Sequence, residues 1–487
     1  MPEKIQGGQY LGINRKQPGQ YYVETSDTHT LTIGATRCGK TRCIVLPSIC
    51  IQALAGESMI LSDPKGELYL YACKFLEMLG YEVIAIDFKN PRKSCRYNFL
   101  QPVIDAVNAE DIPLAIMRTR DVVESLAHSD GMERIWTDGE KAMLTCGILA
   151  VVYDNQEKPQ YQNLTNVYYF LGKMCTAPTE NDPVPLVYYL ASKPDIHPAK
   201  ASLHISNIAP EKMRGSFYTS AVTALELFVD PNVYDMTCDT DFDIYATGIR
   251  KRAIFIILPD HKTTYYSSAA LFVQQQYQLL VDCSDQHGNR LPRRVNFDLD
   301  EFGNFTKIPD FPVAITVGGG RGIRFNLYLQ AFSQLEERYG KESAATIRAN
   351  AETWIYLQCK DQDTLKELSD KLGTYTVKSP SISSSSNGSN FSASSSLVSR
   401  PLLFPYEIEQ ISRPYSLVFS RNAPSIMYAP DISQTIFNDL LGMGTPEHNQ
   451  RLLEKRQRMR PEREVQLPQI WNPISNNKSR ERKRFQL

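Results

Sequence analysis

Residues 29–41 read HTLTIGATRCGKT. Residues 30–33 alternate as a short strand does, residues 34–41 fit the pattern G-x-x-x-x-G-K-[ST], and residues 42–51 continue with helical periodicity. A strand, a glycine-rich loop and a helix in that order are the context in which the pattern denotes a phosphate-binding loop. The residue types follow from that chemistry. Gly34 and Gly39 let the backbone of Gly34, Ala35, Thr36, Arg37, Cys38, Gly39, Lys40 and Thr41 curl so that its N–H groups face phosphate oxygens. The new helix adds the positive end of its dipole. Lys40 is placed to reach β- and γ-phosphates, and the Thr41 hydroxyl to ligate Mg²⁺. The loop therefore predicts ATP and Mg²⁺ as cofactors.

Outward from the loop, strands and helices alternate. The apolar run 58–61 leads into Asp63-Pro64-Lys65-Gly66-Glu67, a helix is expected over 68–79, and 81–87 reads as a strand. Further buried strands are expected at 252–258, 295–301, 324–330 and 351–358. Polar residues stand at the carboxyl ends of these strands, as in α/β folds with a mostly parallel central sheet, where ligands bind at those ends. Between 103 and 210 helical periodicity replaces the alternation, which predicts an inserted all-α domain. Four segments result: residues 1–102 as the first part of the nucleotide-binding domain, 103–210 as the insertion, 211–435 as its second part, and 436–487 as a basic, mobile tail. Residues 379–398, SPSISSSSNGSNFSASSSLV, lack the apolar surface needed to fold and are expected to form a flexible excursion between two strands.

Asp300-Glu301 supplies the second half of the expected site. An acidic residue at the end of a neighbouring strand holds Mg²⁺ through water, which suits Asp300. An adjacent Glu orients and polarises the attacking water, which suits Glu301. Asn296 and Asp298 interrupt the strand before them, and the alternation of Val295, Phe297 and Leu299 suits a strand with one buried face. Gln330, at the end of the next strand, is a candidate γ-phosphate sensor. Gly318-Gly319-Gly320-Arg321-Gly322-Ile323-Arg324 lacks the Lys and Ser/Thr of a second phosphate loop, but Arg321 or Arg324 is a candidate arginine finger for a neighbouring subunit.

The composition is that of an ordinary globular chain of 487 residues, 42% hydrophobic and 22% charged, with a net charge of −1. A nucleic-acid partner would thus have to be met by local basic patches. Ten cysteines without a C-x-x-C pair, one of them inside the phosphate loop, fit reduced thiols better than a disulfide or zinc framework. No Ser-His-Asp or Cys-His arrangement has usable spacing. The N-terminus lacks the apolar core of a signal peptide, and the longest apolar helical stretch, 142–153, is far shorter than the roughly 20 residues that span a bilayer.

Five stretches together resemble a known family: HTLTIGATRCGKT at 29–41, SDPKGEL at 62–68, DLDEFGNF at 298–305, LQAFSQL at 329–335 and RPLLFPYEI at 400–408. They are similar to the coupling-protein ATPases of type IV secretion and conjugation, the TraG-like family of the RecA-like hexameric motors. The resemblance spans about residues 5–435. It implies a RecA-like P-loop NTPase domain carrying an all-α insertion, a ring of six subunits, and a motor that receives the relaxase–DNA complex at the secretion channel. It implies contacts with DNA, relaxase and channel proteins, and carries Lys40, Thr41, Asp300, Glu301 and Gln330 into their roles. Family members usually bear N-terminal membrane helices. Their lack here is expected of a truncated chain or a soluble variant, cytoplasmic and docked at the inner face of the bacterial plasma membrane. The competing readings are an FtsK-like or HerA-like DNA translocase, which the helical insertion and DPKGEL argue against, and a non-hydrolysing receptor or scaffold, which Glu301 argues against.

Overall fold

Continuous apolar runs such as Met59-Ile60-Leu61 and Ala253-Ile254-Phe255-Ile256-Ile257 cannot leave either face in water, so they become interior strands covered on both sides. The computed structural model describes residues 6–17, 19–127, 134–179, 182–202, 210–262, 264–384 and 391–473. Its centre is a nine-stranded sheet. In chain order the described strands are β1 (Gln9–Ile13), β2 (Tyr21–Glu24), β3 (His29–Gly34), β4 (Ser58–Asp63), β5 (Glu82–Asp87), β6 (Arg252–Ile257), β7 (Val295–Leu299), β8 (Ile323–Leu329), β9 (Ala351–Gln358), β10 (Thr374–Ser384), β11 (Phe391–Pro401), β12 (Tyr415–Phe419) and β13 (Ser425–Tyr428). The sheet order is β13-β12-β9-β3-β8-β7-β4-β6-β5. From β9 to β5 every neighbouring pair is parallel, whereas β12 joins β9, and β13 joins β12, antiparallel.

The period of two along each strand divides the core between the faces. Ile60, Ile254, Ile256, Phe325 and Leu327 pack on one side with helix Tyr266–Gln286 and the helical segment. Met59, Leu61, Phe255, Ile257 and Tyr328 pack on the other with helices Leu46–Leu54 and Glu67–Met78.

Adjacent parallel strands β5 and β6 are separated in sequence by a helical interval. It contains Gln101–Asn108, Ile112–Leu126, Arg134–Asp154, Leu164–Met174 and Pro185–Ala191. Asp111 and Asn163 start two of these helices by accepting hydrogen bonds from the amides of Leu114 and Asn166. The helical interval does not stop at 210. Helix Glu211–Ala224 packs on Arg134–Asp154 through Phe217 and Trp136, whose ring centroids lie 5.9 Å apart, and Pro231–Thr237 follows before β6 begins.

Three sequence expectations are corrected. First, β7 is buried along its whole length rather than on one face. Its polar side chains are paired inside: Asn296 Nδ2 donates to Glu57 at 2.9 Å, and Asp298 Oδ1 accepts from Asn326 at 2.9 Å and Gln52 at 3.2 Å. Second, much of the Ser-rich stretch is an antiparallel ribbon in which Thr374 to Ser384 of β10 pair with Pro401 back to Phe391 of β11. Small hydroxyl and β-branched residues satisfy their backbone groups across a ladder without needing a core. Residues 385–390 of that stretch lie outside the described residues. Third, the tail is docked up to residue 473. After helix Pro446–Met459, Arg460 pairs with buried Asp87 at 2.5 Å, Arg463 with Asp235 at 2.7 Å, and Trp471 stacks on Phe170 with centroids 5.5 Å apart. Arg480, Arg482, Lys483 and Arg484 lie outside the described residues. Among the described residues no helix is long and apolar enough to cross a membrane.

Candidate functional site

Neighbouring strands β3, β8, β7 and β4 end on the same edge of the sheet, so their carboxyl ends gather the segments singled out in the sequence. β3 delivers residues 34–41, β8 delivers Gln330, β7 delivers Asp300-Glu301, and β4 delivers Asp63. The two glycines of the loop are needed for different reasons. Gly39 has φ of 98° and Arg37 of 66°, both left-handed. Gly34 is instead required by a close approach, because a Cβ there would lie 2.5 Å from Cys38 Sγ. The amide of Ala35 donates to Gln358 O of β9 at 2.6 Å, tying the loop to the sheet. Cys38 itself is buried, and burial pushes its thiol up against the opposing charges of Lys40 and Arg413.

Lys40 is 6% exposed. Its Nζ donates to Gly34 O at 2.5 Å and lies 3.8 Å from Glu301 Oε1. A phosphate oxygen can replace that internal carbonyl, so the side chain is already turned into the loop. Thr41 begins the following helix, which opens as one π turn, Thr41–Val45, before becoming α-helical.

Glu301 has φ of 52°, a left-handed geometry that a non-glycine residue adopts at a cost of order 1 kcal/mol. The turn lifts its carboxylate out of the sheet, where Oε2 accepts from Gln330 Nε2 at 2.8 Å. Lys40, Glu301 and Gln330 thus form one hydrogen-bonded and ionic chain across three strand ends. Asp300 is 7% exposed, and its Oδ1 accepts from the Glu301 amide at 3.1 Å. Burial, and then the charge of Glu301, push its carboxyl up to about 6, with Lys40 and Lys65 opposing. Asp63 accepts from the Tyr69 amide at 2.8 Å, and burial raises it to about 7 despite these backbone donors.

Lys40 and Lys65 compensate the buried Asp300 carboxyl only in part, and a divalent ion held by Asp300 and the Thr41 hydroxyl would complete the compensation. Among the described residues no group of three or more His, Cys, Asp or Glu is arranged to hold a metal. That donor set suits Mg²⁺ brought with substrate phosphates and water rather than an all-protein cage.

The two candidate finger arginines are corrected. Arg324 lies inside β8, 1% exposed, with Nη2 3.0 Å from Glu57 Oε1. Burial lowers its guanidinium to about 10 against the pull of Glu57. Arg321 is bonded to Ser284 Oγ at 2.6 Å and paired with Asp285. Both stand at the amino end of β8, opposite the phosphate loop, and neither is a free arm.

Two features had no local signal in the sequence. Arg42 makes a bidentate pair with Asp431, both bonds 2.7 Å, which clamps the segment after β13 to the helix after the loop. Burial raises the Asp431 carboxyl, but the Arg42 and Ser433 bonds outweigh it and hold it at about 2. Arg413 lies against Gly39: a Cβ on that glycine would meet Arg413 Cδ at 2.8 Å and Nη1 at 3.1 Å.

Several known proteins are similar to this chain. Protein VirD4 of Rhizobium rhizogenes is 23% identical over 415 residues, 84% of this chain and 59% of that one. Conjugal transfer protein TraG of Agrobacterium fabrum (strain C58 / ATCC 33970) is 22% identical over 437 residues, 88% of this chain and 63% of that one. The chain thus spans about 60% of the length of these relatives. Among solved structures, the unbound bacterial conjugative coupling protein TrwBdeltaN70 shares the fold with a TM-score of 0.62 at 17% identity, covering 89% of this chain and 90% of that one. Plasmid coupling protein TrwB in complex with ADP and Mg²⁺ matches with a TM-score of 0.59 at 17% identity, covering 84% and 86%. The family model for type IV secretory system conjugative DNA transfer matches residues 4–430, and the chain belongs to that family.

Proposed function

We propose that this chain is the nucleotide-hydrolysing part of a conjugative coupling protein, which receives a relaxase–DNA complex and drives DNA into a type IV secretion channel. The observation that carries the reading is the line of Lys40, Glu301 and Gln330 across adjacent strand ends, at the mouth of a phosphate loop. In this reading the loop amides and Lys40 bind the β- and γ-phosphates of ATP. Glu301 accepts a proton from, and orients, the attacking water. Gln330, bonded to the same carboxylate, relays loss of the γ-phosphate to β8. Thr41 and, through water, Asp300 would hold Mg²⁺, which neutralises charge developing on the phosphates. The TrwB complex with ADP and Mg²⁺ supports both ligands.

Action on DNA, a homo-hexameric ring, and docking at the cytoplasmic face of the plasma membrane belong to the same proposal, on the strength of family membership. The burial of Arg324 against Glu57, and the pairing of Arg321 with Ser284 and Asp285, leave the trans finger out of it. The test is ATP turnover with and without DNA. The chain should hydrolyse ATP, DNA should raise the rate, and Lys40→Ala should abolish it. Turnover that survives Lys40→Ala would end the motor reading.

A further inference from the structure

The antiparallel addition of β12 to β9 has a geometric consequence at the nucleotide edge. Leu417 pairs with Tyr356 and Phe419 with Trp354, so the beginning of β12 lies at the carboxyl end of β9. The residues just before β12 are therefore carried to the edge where β3 ends in the phosphate loop. β13 runs back again, and the Arg42–Asp431 pair fastens the chain that follows it to the helix after the loop. Between helix Pro405–Glu409 and β12 this arrangement sets down Arg413.

Arg413 is not a surface arginine neutralised by a neighbour. Its stem and one guanidinium nitrogen lie on Gly39, the residue before Lys40, so closely that any side chain at 39 would displace them. Its charge is felt at the Cys38 thiol inside the loop and at Cys43 one turn beyond. Yet it is exposed, and among the described residues it makes no side-chain hydrogen bond and pairs with no carboxylate. Of the other arginines near this edge, Arg42 is paired with Asp431 and Arg400 with Glu407, while Arg37 belongs to the loop itself. An unpaired guanidinium laid on the phosphate loop beside Lys40 adds positive charge where a polyanion would bind, and its planar fork matches phosphate oxygens.

We propose that Arg413 is a phosphate-binding residue acting within its own subunit, closing over the α- and β-phosphates of the nucleotide from the C-terminal side. The inference rests on the nucleotide-site reading above and adds to it a cation that none of the sequence motifs contains. It also gives the antiparallel extension of the sheet a role. The β12 edge carries a charged arm to the loop.

Equilibrium titration of the purified chain with a fluorescent N-methylanthraniloyl ADP, followed by competition with inorganic tripolyphosphate, tests it. Arg413→Ala should weaken ADP binding about tenfold or more, as expected for loss of a charge-assisted contact to phosphate. It should weaken tripolyphosphate competition by a similar factor. Arg413→Lys, which keeps the charge but not the fork, should fall between, with melting temperatures matching the parent because the residue is exposed. Lys40→Ala serves as the reference for the loop itself. If Lys40→Ala loses affinity while Arg413→Ala binds like the parent, the inference fails and the nucleotide site stands. If Arg413→Ala loses ADP but competes normally with tripolyphosphate, the residue contacts the base or ribose and the phosphate assignment is overturned. A parent chain that binds no nucleotide would remove both readings.

Discussion

Replacing Asp300 by asparagine should make the protein more stable and, at the same time, unable to profit from Mg²⁺. The carboxyl is buried at the end of β7, and burial followed by the charge of Glu301 raises it from 3.8 to about 6. At about 1.36 kcal/mol per pH unit, that rise puts the cost of keeping it ionised in the folded state at up to about 3 kcal/mol. The sign follows from proton binding. Between pH 4 and 6 the folded chain holds a proton that the unfolded chain has released, so stability falls as pH rises through that window and the full cost is present above it. Asn keeps the shape and an oxygen for the Glu301 amide, now 3.1 Å from Asp300 Oδ1, without the charge. It also removes a repulsion felt by Asp63.

Asp300→Asn should therefore melt higher than the parent at pH 8, by roughly 2–5 °C, with most of the gain gone at pH 4.5. With ADP present, adding Mg²⁺ should raise the melting temperature of the parent but not of the variant, so that the parent gains from the ion what the variant gains from the substitution. Scanning calorimetry at the two pH values, with and without Mg²⁺ and ADP, makes the measurement. A variant less stable than the parent at pH 8, or a gain undiminished at pH 4.5, would refute the view of Asp300 as a carboxylate waiting for a cation.

Other consequences are open to direct measurement. Arg460→Ala strands the fully buried Asp87 carboxylate, which Arg460 meets at 2.5 Å, and should destabilise the chain by about 3 kcal/mol in urea titrations; parent-like stability would mean the tail is not held there. Deleting residues 377–398, the outer part of a ribbon that pairs only with itself, should leave nucleotide affinity within twofold of the parent by the same fluorescent titration. DNA binding should be independent of sequence and fall steeply with salt, because a chain of net charge −1 has only local basic surfaces to offer phosphates. Filter-binding affinity that stays flat between 50 and about 200 mM salt would contradict this.

The parts of the fold legible in the sequence are those whose physics is local. Residues 29–51 carry strand, loop and helix within one stretch, and the same holds for 58–79, so the parallel sheet and the edge where these loops gather are legible directly. The full burial of β7 is not legible locally, because Asn296 and Asp298 are made tolerable by Glu57, Gln52 and Asn326, residues distant in sequence. Arg321 and Arg324 looked free for the same reason, since their acidic partners Asp285 and Glu57 lie on other elements. Composition alone does not reveal that part of the tail is docked: Arg460 reaches across to Asp87 and Arg463 to Asp235. Arg413 had no local pattern at all. It becomes visible only once β12 is known to run antiparallel to β9 and so begins beside the phosphate loop.

The central claim is that Glu301, bonded to Gln330 and facing Lys40, is the group that activates water in an ATP-hydrolysing site. Single-turnover hydrolysis of ATP by the parent and by Glu301→Gln, in the presence of Mg²⁺ and DNA, tests it most directly. The glutamine variant keeps the size of the side chain and should bind Mg-ATP with near-parent affinity, yet hydrolyse it at least about tenfold more slowly, and about 10²-fold or more if Glu301 is the only base. Hydrolysis at the parent rate, with binding unchanged, would move the catalytic role away from Glu301 and contradict the account.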